Sequence, residues 1–141
     1  MVANVLDRFE FRSVRANEAE EVAEIEKICF PPHEVCSKKD MFERVEHAPE
    51  LFLVAVDKET GTIAGFLNGL ATDEEAFRDE FFTDITVHNP EGKNIFLLGL
   101  DVRPEYRRQG LAREIMNQYV KREQAKGRKM LKLTCLEQKV E

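Results

Sequence analysis

The spacing of apolar residues predicts a strand and then two helices in the first third of the chain. Residues 8–15 alternate apolar and charged side chains, which is the pattern of a half-buried strand. Over residues 19–29 the apolar side chains fall on one helical face, Asn17 and Glu20 stand at the spacing of a capping box, and a proline pair follows. Residues 37–48 repeat the helical pattern, so a second, shorter helix is predicted there.

The middle of the chain predicts a β-hairpin followed by a long connection. Residues 51–56 are continuously apolar, residues 57–61 supply turn chemistry, and residues 62–70 return as the partner strand. Residues 73–82 are acidic and interrupted by aromatic side chains, and the connection then continues irregularly to Lys93. Long connections in compact domains are often functional, so this segment is a candidate for part of a binding site.

The last third of the chain predicts a βαβ unit. An apolar strand over residues 95–102 is followed by an amphipathic helix over residues 110–126, a glycine, and a further strand over residues 129–136. Strands joined through a helix in this way run parallel. We therefore expect an α/β (α+β) fold and a single domain over residues 1–141.

A basic loop joins this strand to this helix. Gly110 stands at the helix start, where glycine allows backbone to approach a ligand closely, and the first N–H groups of a helix have no intrahelical partners. Arg107, Arg108 and Arg113 add positive charge. The combination predicts a site for a phosphate or pyrophosphate. A P-loop nucleotide site is not favoured, because the chain lacks a G-x-x-x-x-G-K-S/T pattern.

Composition and charge narrow the class of protein. The 141 residues are 43% apolar and 34% charged, and their net charge of -6 argues against nucleic-acid binding. Because no apolar run reaches the length of a membrane span and no secretory signal opens the chain, a cytoplasmic protein without membrane contact is expected. Cys29, Cys36 and Cys135 lack metal-ligand spacing, so we expect reduced thiols, with Cys135 in the core, and no metal.

The basic loop also resembles a known motif. Arg107-Arg-Gln-Gly-Leu-Ala112 resembles the acetyl-CoA-binding motif Q/R-x-x-G-x-G/A of the GNAT superfamily of N-acetyltransferases, and residues 100–106 match the run that leads into it. Within that superfamily the chain is most similar to the serotonin (aralkylamine) N-acetyltransferase-like group, through residues 25–30, residues 48–51 and the acidic segment after the hairpin. The resemblance extends from Phe9 onward.

The resemblance implies a fold and a set of cofactor contacts. The fold would be a GNAT-like mixed, mostly antiparallel sheet with a central parallel βαβ unit and helices on both faces. The preceding strand would hold the pantetheine arm of acetyl-CoA through its backbone, and the loop and helix start would hold the pyrophosphate. The cofactor-binding residues implied are Leu100, Asp101, Val102, Arg107, Arg108, Gln109, Gly110, Leu111, Ala112 and Arg113.

The chain also departs from that group. Animal members carry two histidines on the central strand as a proton relay, and the matching residues here are Phe96 and Leu98, which accept no proton. With Phe30 these two are expected to wall the acceptor pocket. The printed chain ends at Glu141, before the tyrosine, helix and hairpin that the group places next, which predicts a GNAT domain without its C-terminal elements. An open sheet edge there would allow homodimerisation.

Two other residues are candidates for the missing base. His33 lies in the loop expected to border the acceptor site, and histidine titrates near physiological pH. Glu26 faces partly away from the apolar stripe of its helix and would recognise the amine. Asp101 is expected on the opposite side of its strand from Leu98 and Leu100, in a structural hydrogen bond. His88 is expected to be a solvated loop histidine.

Taken together, these patterns predict an acetyl-CoA-dependent N-acetyltransferase. Its substrate would be a small primary amine that attacks the thioester directly in a ternary complex. An acyl-CoA-binding or regulatory module without turnover is the alternative. The acidic residues between Asp73 and Glu80 fit a solvated helix face and an acidic mouth for a cationic amine equally well.

Overall fold

A computed structural model describes residues 5–76 and 78–133, which form a sheet with helices packed on both of its faces. The strands in this part of the chain are β1 Phe9–Ser13, β2 Phe52–Asp57, β3 Ile63–Thr72, β4 Asn94–Val102 and β5 Met130–Leu133. Its α-helices are α1 Val5–Arg8, α2 Ala19–Cys29, α3 Lys38–His47, α4 Glu80–Thr83 and α5 Leu111–Ala125. Short 3₁₀ turns occur at Ala16–Glu18, Pro49–Leu51, Ile85–Val87 and Pro104–Tyr106.

The sheet confirms the fold class predicted from the sequence. The five described strands lie in chain order, β1 to β4 pair antiparallel, and β4 and β5 pair parallel across the α5 connection. The predicted final strand is described as far as Leu133. Its remainder, Cys135 and the edge at which homodimerisation was expected lie outside the described residues.

The two faces of the sheet are covered by different helices. Leu111, Ile115 and Tyr119 of α5 pack on one face, in a cluster that includes Leu53 and Leu67. The helices α2 and α3 cover the other face, through the buried residues Val22, Ile25, Met41 and Val45 packed with Val54 and Phe66. Because β2 and β3 are buried on both faces, every residue of each is buried, which explains why apolar residues predominate in both strands.

A β-bulge in β4 changes which side chains face which helices. Asn68 pairs with Gly99 but the next residue, Gly69, pairs with Leu97, so Leu98 is the extra residue. A Cβ on Gly69 would lie 2.7 Å from the carbonyl oxygen of Phe96, so the close approach of β3 to β4 beside the bulge requires glycine. Before the bulge the odd-numbered residues of β4 pack toward α5, and after it the even-numbered ones do.

The start of α2 differs from the predicted capping box. A 3₁₀ turn precedes the helix, and Glu18 rather than Glu20 accepts the capping bond, from the backbone N–H of Arg15 at 2.8 Å. Arg12 on β1 holds the Glu18 carboxylate at 2.6 Å. The ion pair with Arg12 on β1 favours Glu18 as the capping residue. The spacing of Asn17 and Glu20 in the sequence does not reveal this contact.

The prediction that His88 is solvated is wrong. Its side chain is 3% exposed, its Nδ1 accepts the backbone N–H of Ala71 at 3.0 Å, and its Nε2 donates to Glu50 at 2.7 Å. The ring closes the end of β3 against the connection to β4.

No helix in the described ranges is long and apolar enough to span a bilayer.

Candidate functional site

A cavity of about 360 Å³ opens between α2, α3 and the bulge of β4. The loop after α2 and the end of α4 complete its wall. Its lining residues are Glu26, Phe30, Glu34, Val35, Cys36, Ser37, Asp40, Arg44, Phe82, Thr83, Leu98 and Gly99. This volume falls in the usual range for small-molecule sites.

Two buried carboxyl groups meet beside this cavity. Glu26 is 6% exposed, and its Oε2 accepts the backbone N–H of Cys36 at 2.9 Å. Asp101 is 1% exposed, and as an ionised group neither of its oxygens would have a hydrogen-bond donor among the described residues. Burial and the facing carboxyl of Glu26 raise the pKa of Asp101 well above its ordinary value, against the opposing charges of Arg44 and Arg107. A proton on Asp101 allows it to donate to Glu26.

This arrangement corrects the prediction for Asp101. Regular alternation along the strand predicted that Asp101 and Leu98 lie on opposite faces of the sheet. The bulge instead places Asp101 on the side of α2, where Leu98 also lies. The group that faces Asp101 is a second carboxyl, so its hydrogen bond with Glu26 requires a proton on one of the two groups. Glu26 is also placed differently from the prediction, since it lies on the buried stripe of α2 rather than partly away from it.

A buried arginine forms another part of the cavity wall. Arg44 on α3 is 6% exposed and lines the cavity. Its Nη1 donates to Asn68 Oδ1 at 3.1 Å and its Nη2 to the carbonyl oxygen of Phe82 at 2.9 Å. Sequence analysis did not single it out, although a cation between Met41 and Val45 on the buried stripe of α3 was a visible signal.

The backbone of β4 offers hydrogen-bonding groups on its side away from β3. The N–H of Arg103 donates to Ala64 on β3 at 2.8 Å, so by alternation the backbone groups of Leu100 and Val102 point the other way. In the described residues β5 pairs only with residues 94–97. The carbonyl oxygen of Val102 accepts from Cys29 Sγ at 3.3 Å and from Arg107 Nε at 2.9 Å.

The start of α5 provides an exposed set of backbone amides. Gly110 has a φ of 82° and Arg108 a φ of 64°, both in the left-handed region, and a Cβ on Gly110 would meet nothing within 4 Å. Most of the predicted phosphate-site residues are exposed here: Arg107, Arg108, Gln109, Gly110, Ala112 and Arg113. Leu111 is 1% exposed and anchors the helix in the core, leaving its backbone amide in the first turn. The three arginines form no ion pair with a described carboxylate.

The structure sorts the predicted pocket residues into two groups. Phe30, Leu98 and Glu26 line the cavity. Phe96 is fully buried against Phe81, with ring centroids 4.9 Å apart, and is not one of the lining residues. His33 is 77% exposed in its side chain, contacts Glu34 at 3.3 Å and does not line the cavity, so the structure gives it no place from which to accept the substrate's proton.

The sheet, the bulged strand and the exposed helix start together are features of an acetyltransferase domain. The profile described as "Acetyltransferase (GNAT) family" matches residues 19–140, and the chain therefore belongs to that family. This agrees with the predicted superfamily. The match is to the family as a whole, and placement in the serotonin N-acetyltransferase-like group stays a prediction.

The individual relatives are either distant in sequence or much longer than this chain. The probable hydrolase YhcX of Bacillus subtilis (strain 168) is 30% identical over 114 residues, which cover 73% of this chain and 22% of that protein. The loading GNATL domain of CurA from Lyngbya majuscula has a TM-score of 0.71 at 14% identity, covering 81% of this chain and 57% of the other. The aminoglycoside N-acetyltransferase AAC(6')-Iy in complex with CoA has a TM-score of 0.64 at 16% identity, covering 93% and 82%. The chain thus spans about a fifth of its curated relative, and the two structures are similar in fold.

Proposed function

We propose that this chain transfers an acetyl group from acetyl-CoA to the primary amine of a small molecule, by direct attack of the amine in a ternary complex. The observation that carries the proposal is the carboxyl pair Glu26–Asp101 at a cavity beside the bulged strand. Membership of the acetyltransferase family supports it, as does the structural similarity to an aminoglycoside N-acetyltransferase in complex with CoA.

The strand and helix start that follow the cavity fit an extended, anionic cosubstrate. Backbone groups of Leu100 and Val102 would pair with the pantetheine arm, and Arg107 would give up its bond to the Val102 carbonyl for a phosphate. The first-turn amides of α5, together with Arg108 and Arg113, would hold the pyrophosphate. When bound, acetyl-CoA supplies the activated acetyl group and leaves as a thiol.

The carboxyl pair would take the proton that the attacking amine must lose. With one proton between two carboxyl groups, Glu26 and Asp101 can accept a second and pass it to solvent through the cavity. This would perform the task that the resemblance to the serotonin N-acetyltransferase-like group assigns to a histidine pair, whose positions are Phe96 and Leu98 here. Placement in that group stays a prediction.

The cysteines near the site favour direct transfer over a covalent acyl-cysteine. Burial raises the pKa of Cys36 to about 11 and also raises that of Cys29. Both therefore stay protonated at neutral pH, and a thiol is a poor nucleophile compared with a thiolate.

Two measurements test the proposal. Isothermal titration with acetyl-CoA should show binding, and a thiol-release assay across a panel of primary amines should show turnover. Absence of binding at millimolar acetyl-CoA would contradict the cosubstrate assignment. Binding without thiol release for any amine would instead establish an acyl-CoA-binding or regulatory module.

A further inference from the structure

Arg44 is a buried cation whose described partners are both uncharged. Its guanidinium donates to the Asn68 amide oxygen and to the Phe82 carbonyl oxygen. It forms no ion pair with any carboxylate in the described ranges. An arginine that is 6% exposed is ordinarily paired, because removing a charge from water is costly unless an opposite charge compensates.

The guanidinium of Arg44 is held in one position at the cavity wall. Asn68 on β3 is 1% exposed, and its Nδ2 reaches the carbonyl oxygen of Gly99 at 3.4 Å, which turns its Oδ1 toward Arg44. Phe82 holds the other nitrogen from the end of α4. Arg44 on α3 is thus bonded to β3 and α4, and its planar group is preorganised for a bidentate partner such as a carboxylate.

The charges around the cavity are separated in space along its wall. Arg44 supplies the positive charge on α3, and the Glu26–Asp101 pair supplies the proton-accepting groups on α2 and β4. Asp40 and Glu34 add carboxylates to the lining. A ligand with one cationic and one anionic group would match this arrangement, whereas a simple amine would bring no carboxylate to Arg44.

We propose that the acceptor substrate is an amino acid or an amino-acid-like amine, whose carboxylate binds Arg44 while its reacting amine faces Glu26 and Asp101. This rests on the proposed acetyltransferase function. It adds a substrate class and assigns Arg44 as the residue that selects it. The competing role for Arg44 is purely structural, as a connection between α3, β3 and α4.

Matched pairs of amines separate these roles in the wild-type protein. Each pair consists of an amino acid and the amine made by removing its carboxyl group, such as lysine with cadaverine and phenylalanine with phenethylamine. We expect kcat/KM to favour the amino acid of the preferred pair by about 100-fold, because a buried charge left unpaired is strongly penalised. Equal or better turnover of the decarboxylated partners would overturn the inference while leaving the acetyltransferase function intact.

The variant Arg44→Gln tests the residue itself, with Lys39→Gln as control. Lys39 lies on the same helix, is 79% exposed in its side chain and does not line the cavity. Arg44→Gln should raise KM for the amino acid by about 100-fold, a much larger change than for the decarboxylated partner, and leave acetyl-CoA affinity unchanged. Lys39→Gln should change neither substrate.

A structural role for Arg44 predicts a different result. Loss of both substrates in equal proportion, accompanied by a lower melting temperature, would contradict the inference. Arg44→Lys keeps the positive charge but not the planar guanidinium that donates two parallel hydrogen bonds. Retention of part of the amino-acid preference in that variant would support recognition of a carboxylate. A protein that binds acetyl-CoA but acetylates no member of any pair would instead contradict the proposed function on which this inference rests.

Discussion

At the scale of single residues, Asp101 connects the stability of the protein with its chemistry. Burial and the carboxyl of Glu26 on α2 raise the pKa of Asp101. The charges of Arg44 on α3 and of Arg107 in the loop after β4 oppose this rise. The native state therefore holds a proton on Asp101 at a pH at which the unfolded chain has released it.

The stability of the protein should consequently fall with pH because of Asp101. Above about pH 4 the unfolded state loses the proton first, so the free energy of unfolding decreases as the pH rises toward the raised native pKa. Asp101→Asn removes this contribution. Urea unfolding at a series of pH values should show a flatter profile and a higher free energy of unfolding at neutral pH for the variant. A variant less stable than wild type throughout would contradict the assignment.

The same substitution should reduce turnover. An asparagine at 101 cannot share a proton with Glu26, so kcat for amine acetylation should fall by about 100-fold, the usual contribution of a general base. Glu24→Gln is a suitable control, because Glu24 is exposed on the same helix as Glu26. A variant that is more stable and as active as wild type would show that the pair takes no part in proton transfer.

At the scale of secondary-structure elements, the start of α5 tests the cosubstrate site. Gly110→Ala places a Cβ at a φ of 82°, which costs about 1 kcal/mol in backbone strain, and points it into the open space where a phosphate would lie. We expect acetyl-CoA affinity, measured by titration calorimetry, to fall by about 10-fold or more.

Gly61 provides the matched control for this substitution. Its φ is 77°, a Cβ there would also meet nothing within 4 Å, and it lies in the hairpin turn between β2 and β3. Gly61→Ala should cost similar stability and leave acetyl-CoA affinity unchanged. Equal losses of affinity in both variants would point to a general effect of strain rather than to a phosphate site.

The elements themselves were predictable because their signals are local. In the described part of the chain, alternation, helical spacing and turn residues predicted the five strands and the helices α2 and α5 to within a few residues, apart from the end of β5, and the basic motif located the start of α5. The Glu26–Asp101 pair was not predictable in this way. Its geometry depends on a bulge at Leu98 that appears only when β4 is paired with β3.

The burial of His88 and of Phe96 could not be predicted from the sequence either, because it depends on tertiary contacts. Nothing in the sequence around His88 shows that Ala71 and Glu50 enclose it, and nothing around Phe96 shows that Phe81 covers it. Arg44 is an intermediate case. Its place on an apolar stripe was a signal of burial that the sequence analysis did not use, and its neutral partners are known only from the fold.

At the scale of the whole molecule, Asp57 connects segments distant in sequence. Its carboxylate accepts from Tyr106 Oη at 2.7 Å, from the backbone N–H of Glu59 at 2.9 Å and from Arg8 at 3.2 Å. The hydrogen bond from Tyr106 and these further donors lower the pKa of Asp57. The end of α1, the end of β2 and the loop before α5 therefore meet at one ionised group.

Acid should release this connection. A carboxylate with a lowered native pKa stabilises the fold above the unfolded value, at about pH 4, and loses that contribution as the pH falls through the native value. Asp57→Asn should lower the free energy of unfolding at neutral pH, and its difference from wild type should shrink below about pH 4. Asp79→Asn, at an exposed carboxyl, should show neither effect. A difference independent of pH would contradict the ionic role of Asp57.

The bulge in β4 also has a consequence for how this site tolerates insertions and deletions. Regular pairing of all nine residues of β4 would place Asp101 under α5, away from Glu26, so the extra residue is what brings the carboxyl to the side of α2. Removing Leu98 would instead leave Gly99 to Val102 opposite their present partners on β3, with Asp101 on its present face. A deletion of one residue there would thus remove part of the cavity wall while preserving the proton acceptor. When related sequences are aligned, a gap of one residue at the bulge is therefore compatible with the same carboxyl pair.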